Sequence, residues 1–110
     1  MKYPTTPDGR YFVVRGRLWR CTNPMLDPEE RGDLVRRLMA GWSAKRQANR
    51  LGDAEGRKAA MLSINDAKTA LGERGPVWWT DGAPDYNRRM AKATPYADWF
   101  AELPDDELNA

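Results

Sequence analysis

The sequence predicts an α+β fold in which a small antiparallel sheet packs on a long antiparallel helical hairpin, followed by a short C-terminal helix. Two short segments rich in aromatic and β-branched residues flank an Arg-Gly pair, which is typical of a β-hairpin. Two longer segments repeat apolar residues every three or four positions, as amphipathic helices do. The length of 110 residues indicates a single domain.

The segments "RYFVV" and "RLWRCT" are expected to form the β-hairpin. Gly16 lies between them and can adopt the positive φ that a tight turn needs. A two-residue turn pairs Val13 with Leu18 on one face of the sheet and Phe12 with Trp19 on the other. Both faces of the hairpin are therefore apolar. Since two strands alone are marginally stable in water, the hairpin needs further partners.

Capping residues place the two helices. Asp27 is suited to be the N-cap of the first, with Pro28 at its first position and Glu30 completing a capping box. This helix is expected to continue to about Arg50. The sequence "LGD" then ends one helix at its glycine and caps the next with Asp53.

Each helix has one apolar side. The first carries Leu34, Val35, Leu38, Met39 and Trp42, and the second, expected over residues 54–71, carries Ala60, Met61, Ile64, Ala67 and Leu71. Near their connection both helices are polar, so we expect a helical hairpin with a protruding tip. The basic residues expected at this tip are Lys45, Arg46, Arg50, Arg57 and Lys58.

The remaining segments are shorter. Residues 1–9 contain two prolines and are read as an extended lead-in, and residues 77–80, "VWWT", as a short third strand. A last helix is expected to begin at Thr94 as N-cap and to end at Pro104. Residues 104–110 form an acidic tail that we expect to be frayed.

Composition argues against several kinds of chemistry. The chain has no histidine and a single cysteine, which removes the commonest general base, the usual zinc ligands and any internal disulfide. No phosphate-binding or dinucleotide-binding glycine motif is present, and no stretch approaches the about 18 apolar residues of a membrane span. We expect a cytoplasmic protein without catalytic activity, cofactor or membrane association.

The adjacent tryptophans Trp78 and Trp79 suggest two interpretations. In a strand they would face opposite sides, so both could complete a core on the two faces of a small sheet. Alternatively, Trp79 is buried and Trp78 belongs to a binding surface for a protein partner. The candidate binding residues in and near the following loop are Trp78, Asp81, Asp85, Tyr86, Asn87 and Arg88, together with Arg17 and Arg20 of the hairpin. Turn and capping roles would also explain the polar loop residues.

Charge is distributed unevenly, which raises nucleic acid as a possible partner. Residues 1–24 contain five basic residues and one acidic residue, whereas residues 94–110 contain five acidic residues and none that is basic. Arginines interleaved with aromatic residues in the hairpin could hold a single strand of RNA or DNA. The net charge of +2 is low for such a protein, and no nucleic-acid-binding motif supports this alternative.

The runs "DGRYFVVRGRLWRCTNP" and "LGERGPVWWTDGAPDYNRRMAKATPYADWF" resemble a group of small uncharacterised bacterial proteins. The resemblance implies a bacterial, cytoplasmic, stand-alone domain, and it assigns no functional residue. The residues themselves favour a small binding or adaptor protein that presents an aromatic and basic surface to a protein partner. The alternative is an accessory protein that binds RNA or DNA through the arginine-rich hairpin.

Overall fold

The computed structural model describes residues 3–104, which contain two strands and three α-helices. In chain order these are β1 (Tyr11–Val14), β2 (Arg17–Arg20), α1 (Pro28–Leu51), α2 (Ala54–Ala70) and α3 (Ala97–Ala101). The chain divides into two compact units. The helical unit is Thr22–Trp78, and the strand unit combines the described residues before and after it. The α+β class is confirmed, whereas the single domain and the packing of sheet on helices stay predictions.

In the helical unit, the boundaries of α1 and α2 follow the predicted caps. The side chain of Asp27 accepts a hydrogen bond from the backbone N–H of Glu29, and Pro28 opens α1. Gly52 ends α1 in the left-handed conformation, with φ of 65°. Asp53 then caps α2 by accepting from the backbone N–H of Gly56. These local signals place the helix ends within one residue of the prediction.

The two helices pack along a narrow seam. Its buried residues follow steps of three, four or, once, seven: Leu34, Leu38, Gly41 and Ala48 on α1, with Ala60, Ile64 and Ala67 on α2 and Leu71 just beyond it. This is the spacing of a two-helix coiled coil. Small residues in the seam allow a close approach, because a Cβ placed on Gly41 would lie 2.8 Å from Cγ1 of Ile64.

The apolar face predicted for α1 is wider than the face that is buried. Met39 and Trp42 were expected to pack inward, but both are exposed. Ala48, in the part that the sequence marks as polar, is buried instead. A seam between only two helices covers about one residue in every turn, so apolar residues one position beside it stay at the surface.

The strand unit is built on the predicted hairpin. β1 and β2 pair in the expected register, with Val13 opposite Leu18 and Phe12 opposite Trp19. Both residues of the connecting turn have positive φ, 52° at Arg15 and 80° at Gly16, as a tight hairpin turn requires. Val13 and Leu18 are fully buried, whereas the opposite pair is half-buried.

The predicted third strand was wrong: residues 77–80 are not a strand. Residues before and after them extend the hairpin instead. Pro4 and Thr6 exchange backbone hydrogen bonds with β1, and Thr5 forms a bridge with Phe12. Along β2, backbone bonds join Leu18 to residues 88–89. The hairpin thus obtains the partners that two isolated strands need.

The C-terminal helix is shorter than expected. Ala91–Ala93 form a 3₁₀ turn, and α3 begins at Ala97 rather than directly after Thr94. The Thr94 hydroxyl accepts from the backbone N–H of Tyr96 and donates to the carbonyl of Ala91, so it stabilises the bend between the two helical turns. Part of the lead-in and most of the acidic tail, residues 1–2 and 105–110, lie outside the described residues. Within residues 3–104 no helix is long and apolar enough to span a membrane.

Candidate interaction surface

Tyr11 is the centre of the strand unit. Its ring is fully buried and makes edge contacts with Trp79 and Tyr96, whose centroids lie 5.6 Å and 5.5 Å away. Its hydroxyl accepts a hydrogen bond of 2.8 Å from the backbone N–H of Tyr86 and lies 3.5 Å from the carbonyl of Pro84. Burial raises the pKa of this phenol. One side chain of β1 therefore fixes both the buried tryptophan and the loop that follows it.

Trp79 is 8% exposed, and its indole N–H donates to the carbonyl of Ala83 at 2.8 Å. The Arg10 guanidinium lies over the indole, 4.8 Å from its centroid, and also pairs with Asp81. This hydrogen bond from Arg10 lowers the pKa of the Asp81 carboxyl. Asp81 also accepts from the backbone N–H of Ala83. The contacts of Asp81 therefore stabilise the turn that directly follows Trp79.

Arg20, Asp85 and Asn87 form a second connection between β2 and the loop. Arg20 is only 2% exposed, and its guanidinium is 3.0 Å from a carboxylate oxygen of Asp85. The amide oxygen of Asn87 accepts from the backbone N–H of Arg20 at 2.9 Å, and Asp85 accepts from the backbone N–H of Asn87. These three predicted binding residues are brought together, and they hold the loop in one conformation.

Arg17 and Arg88 are also brought together, at the outer side of β2. The Arg17 guanidinium donates to the backbone carbonyl of Arg88, and Arg88 has φ of 71°. Backbone hydrogen bonds to Leu18 hold residues 88 and 89 against the strand. Four exposed arginines lie along the hairpin turn, the start of β2 and the segment paired with it. We call them the arginine edge: Arg15, Arg17, Arg88 and Arg89.

The other two predicted residues, Trp78 and Tyr86, are not members of the arginine edge. Trp78 belongs to the helical unit, where it is half-buried with Cδ1 close to Gly72. The prediction that Trp79 is the more buried of the two tryptophans is confirmed. Tyr86 is half-buried in the strand unit, and its ring makes an edge contact with Tyr96 at 6.3 Å.

Sequence reasoning missed the contact between Asp8 and Tyr96. The Tyr96 hydroxyl donates to Asp8, and Asp8 also accepts from the Thr6 hydroxyl. Burial raises the pKa of Asp8, but the hydrogen bonds from Tyr96, Thr6 and the backbone of Arg10 outweigh it and hold the pKa below its ordinary value. Burial and the Asp8 carboxylate raise the pKa of Tyr96 above its usual range. No local pattern marks this pair, whereas strand alternation could have placed Tyr11 beside Val13 on the buried face.

Comparison with known protein families, with curated proteins and with solved structures found no match. Among residues 3–104 there is also no group of three or more histidine, cysteine, aspartate or glutamate side chains arranged to hold a metal ion. The function of the strand unit is therefore inferred from its own geometry and charge.

Proposed function

We propose that the protein is a non-catalytic binding or adaptor protein, and that the arginine edge is its contact surface for a protein partner. The observation that supports this most directly is the charge around the edge. Residues 11–20 and 86–92, which contain the hairpin and the segment beside it, include six basic residues and no acidic one; Arg20 is paired with Asp85, and the other five are exposed. A partner that presents carboxylates would complement this surface.

The fixed loop supports the proposal further. Arg20, Asp85 and Asn87 hold the segment that carries Arg88 and Arg89, so little conformational entropy remains to be lost on binding. Trp19 is half-buried on the neighbouring strand and offers apolar contact beside the charges. Arginine and tryptophan are the residue types that most often dominate binding energy at protein interfaces. In this proposal Arg20 positions the surface and does not contact the partner.

A protein partner is favoured over RNA or DNA by the contacts of the hairpin arginines. Arg10 pairs with Asp81 and Arg20 with Asp85, so these two guanidinium groups are used within the protein. The ring of Phe12 stacks on Tyr3 at 6.1 Å and is half-buried, which reduces the surface on which a base could stack. We propose a bacterial, cytoplasmic setting for this function, as the sequence resemblance implies.

The test is capture of partners from a bacterial lysate by the immobilised protein, with and without nuclease. We expect a protein that is retained after nuclease treatment and lost with the double variant Arg17→Glu, Arg89→Glu. The matched control is Arg37→Glu, Arg50→Glu on α1, which makes the same change of charge at exposed positions. Thermal melts of both variants confirm that they fold.

Two results would contradict the proposal. One is capture that disappears with nuclease and weakens steeply with salt, as phosphate contacts do. The other is equal loss of the retained protein with both double variants, which would show that net charge alone controls capture. In either case the arginine edge is not a specific surface for a protein partner.

A further inference from the structure

The helical unit has an apolar surface of its own beside the seam. Met39 is 59% exposed, Trp42 40% and Met61 44%. Met39 and Trp42 lie three residues apart on α1, and Met61 lies on α2, so both helices contribute. Large apolar side chains that share one exposed face are typical of a docking surface, whereas scattered ones are not.

Helical spacing and one contact show that these residues lie on the same side of the pair. The α1 stripe next to the seam consists of residues 35, 39, 42, 46 and 49, and the α2 stripe of residues 58, 61, 65 and 68. The ammonium group of Lys68 is 5.9 Å from the centroid of the Trp42 ring, which joins the two stripes across the helices. We call the apolar and charged residues of this surface the Trp42 face: Met39, Trp42, Met61, Arg46, Lys58 and Lys68.

Every charge on the Trp42 face is positive. Its charged members are Arg46, Lys58 and Lys68, and the two stripes contain no aspartate or glutamate. Arg74 adds a further positive charge, because its guanidinium donates to the side-chain oxygen of Asn65 in the α2 stripe. The acidic residues of α1 and α2 lie at other helical positions. The surface thus has an apolar centre with a basic border.

A cleft continues the apolar surface towards the start of α1. Val35, one turn before Met39, lines it together with Leu26 and Pro28. Arg31 and Arg36 are the charged residues of its lining. The Arg36 guanidinium also pairs with the exposed carboxylate of Asp33. The combined surface is therefore elongated along α1, which suits an elongated ligand.

From this arrangement we infer that the Trp42 face binds an amphipathic helix of a protein partner whose apolar stripe is bordered by acidic residues. A third helix laid along two paired helices buries their exposed apolar side chains, as helix-in-groove complexes do. Met39 and Met61 adapt to varied apolar surfaces, and Trp42 supplies the large ring typical of a binding hot spot. Acidic residues on the partner helix would pair with Arg46, Lys58 and Lys68.

The same observations disfavour two other occupants. A second copy would place this face against itself in a symmetric dimer, where Arg46, Lys58 and Lys68 would repel their equivalents. An anionic lipid surface is approached by the outer apolar stripe of a helix lying flat. Here the apolar residues are instead divided between two helices and border the groove between them.

The experiment uses the full chain and a fluorescent synthetic peptide of about 18 residues with leucines at helical spacing and glutamates beside them. Anisotropy titration measures binding. We expect saturable binding that weakens by about tenfold or more with Trp42→Ala and with Arg46→Glu, Lys58→Glu. The matched control Arg50→Glu, Arg57→Glu at the helical tip makes the same change of charge outside the two stripes and should weaken binding far less.

Three further measurements distinguish a partner helix from the other occupants. The same peptide with lysines in place of its glutamates should bind much more weakly, and equal binding would overturn the inference. Binding to phosphatidylserine vesicles in the absence of peptide binding would show a lipid-binding face instead. Sedimentation showing a dimer that Trp42→Ala dissociates would identify a second copy as the occupant. Since none of these variants alters the arginine edge, the result is independent of the proposed function.

Discussion

Adjacent residues can differ greatly in what they contribute, as Trp78 and Trp79 do. Trp79 is buried against Tyr11 and donates to the carbonyl of Ala83, whereas Trp78 is half-buried. Replacing Trp79 with alanine should cost about 3–5 kcal/mol of unfolding free energy, and the same change at Trp78 clearly less. Urea denaturation followed by circular dichroism measures both. Equal losses would show that burial does not distinguish the two tryptophans.

The variant Trp79→Phe separates packing from hydrogen bonding at the same position. It keeps an aromatic ring against Tyr11 but leaves the Ala83 carbonyl without the indole donor. Its cost should therefore lie well below that of Trp79→Ala, because truncation to alanine removes the ring and the hydrogen bond together.

Asp8 makes the strand unit sensitive to acid. Because its pKa is lower in the folded protein than its ordinary value of 3.8, the carboxylate contributes stability that is fully present above that value. This contribution is lost as the pH falls through the lowered pKa. Thermal midpoints measured from neutral pH to about pH 3 should fall less for Asp8→Asn than for the unmodified chain. Tyr96→Phe, which removes one hydrogen bond to Asp8, should give an intermediate slope, and identical slopes for all three would contradict this role.

The arginines show how far single residues can be interpreted from sequence. Their position in a short segment rich in aromatic and apolar residues marks Arg17 and Arg20 as members of a strand, but not which of them is buried. Arg20 shares the buried face with Leu18, and its charge is tolerated because Asp85 approaches from a distant loop. That partner lies 65 residues away in sequence, so no local pattern identifies it.

At the scale of elements, the helices were predictable because their signals are local. Asp27, Gly52 and Asp53 act through bonds to residues a few positions away, and sequence order alone specifies them. The partner of β2 was not predictable in the same way. Strand pairing depends on tertiary contacts, and the turn-rich segment around Arg88 pairs with β2 although the "VWWT" segment has the stronger strand composition.

The N-cap of α1 provides a direct test of these local signals. Asp27→Ala removes the acceptor for the backbone N–H of Glu29 and should destabilise the protein by about 1 kcal/mol. Asp27→Asn keeps a suitable acceptor and should cost much less. The denaturation midpoint measures both changes, and an unchanged midpoint for Asp27→Ala would mean that the cap adds nothing to stability.

The seam of the helical unit depends on the close approach at Gly41. Alanine is the better helix former, yet its Cβ would lie 2.8 Å from Ile64, so the helices would have to separate. We expect Gly41→Ala to destabilise the protein by about 1–3 kcal/mol. The control is Gly32→Ala on the same helix, where the nearest group is the flexible end of Arg36 at 3.4 Å. That change should stabilise by about 0.5–1 kcal/mol, and a gain at both positions would contradict the tight seam.

At the scale of the whole molecule, the two units differ in how much of the chain separates their contacts. The helical unit is one continuous segment, Thr22–Trp78, whose helices are joined by a short turn. The strand unit joins the two ends of the chain. The hydrogen bond between Tyr11 and Tyr86, for example, spans 75 residues. Sequence patterns predicted the continuous unit well and the divided one only as far as its hairpin and its short C-terminal helix, because long-range partners leave no periodic signal.

This difference predicts an order of folding. Closing the long loop between Tyr11 and residues 79–86 costs chain entropy before any contact forms, whereas the helical pair needs only local closure. In stopped-flow refolding we therefore expect the helical circular dichroism signal to recover before the fluorescence of Trp79. The measurement uses a variant with Trp19, Trp42, Trp78 and Trp99 changed to phenylalanine, so that Trp79 is the single fluorescent tryptophan.

Two further changes assign the phases. Gly41→Ala in this background should slow the first phase, because the seam forms in it, and Tyr11→Phe should change the rate of the second. Coincident recovery of both signals in one exponential phase would show that the two units fold together.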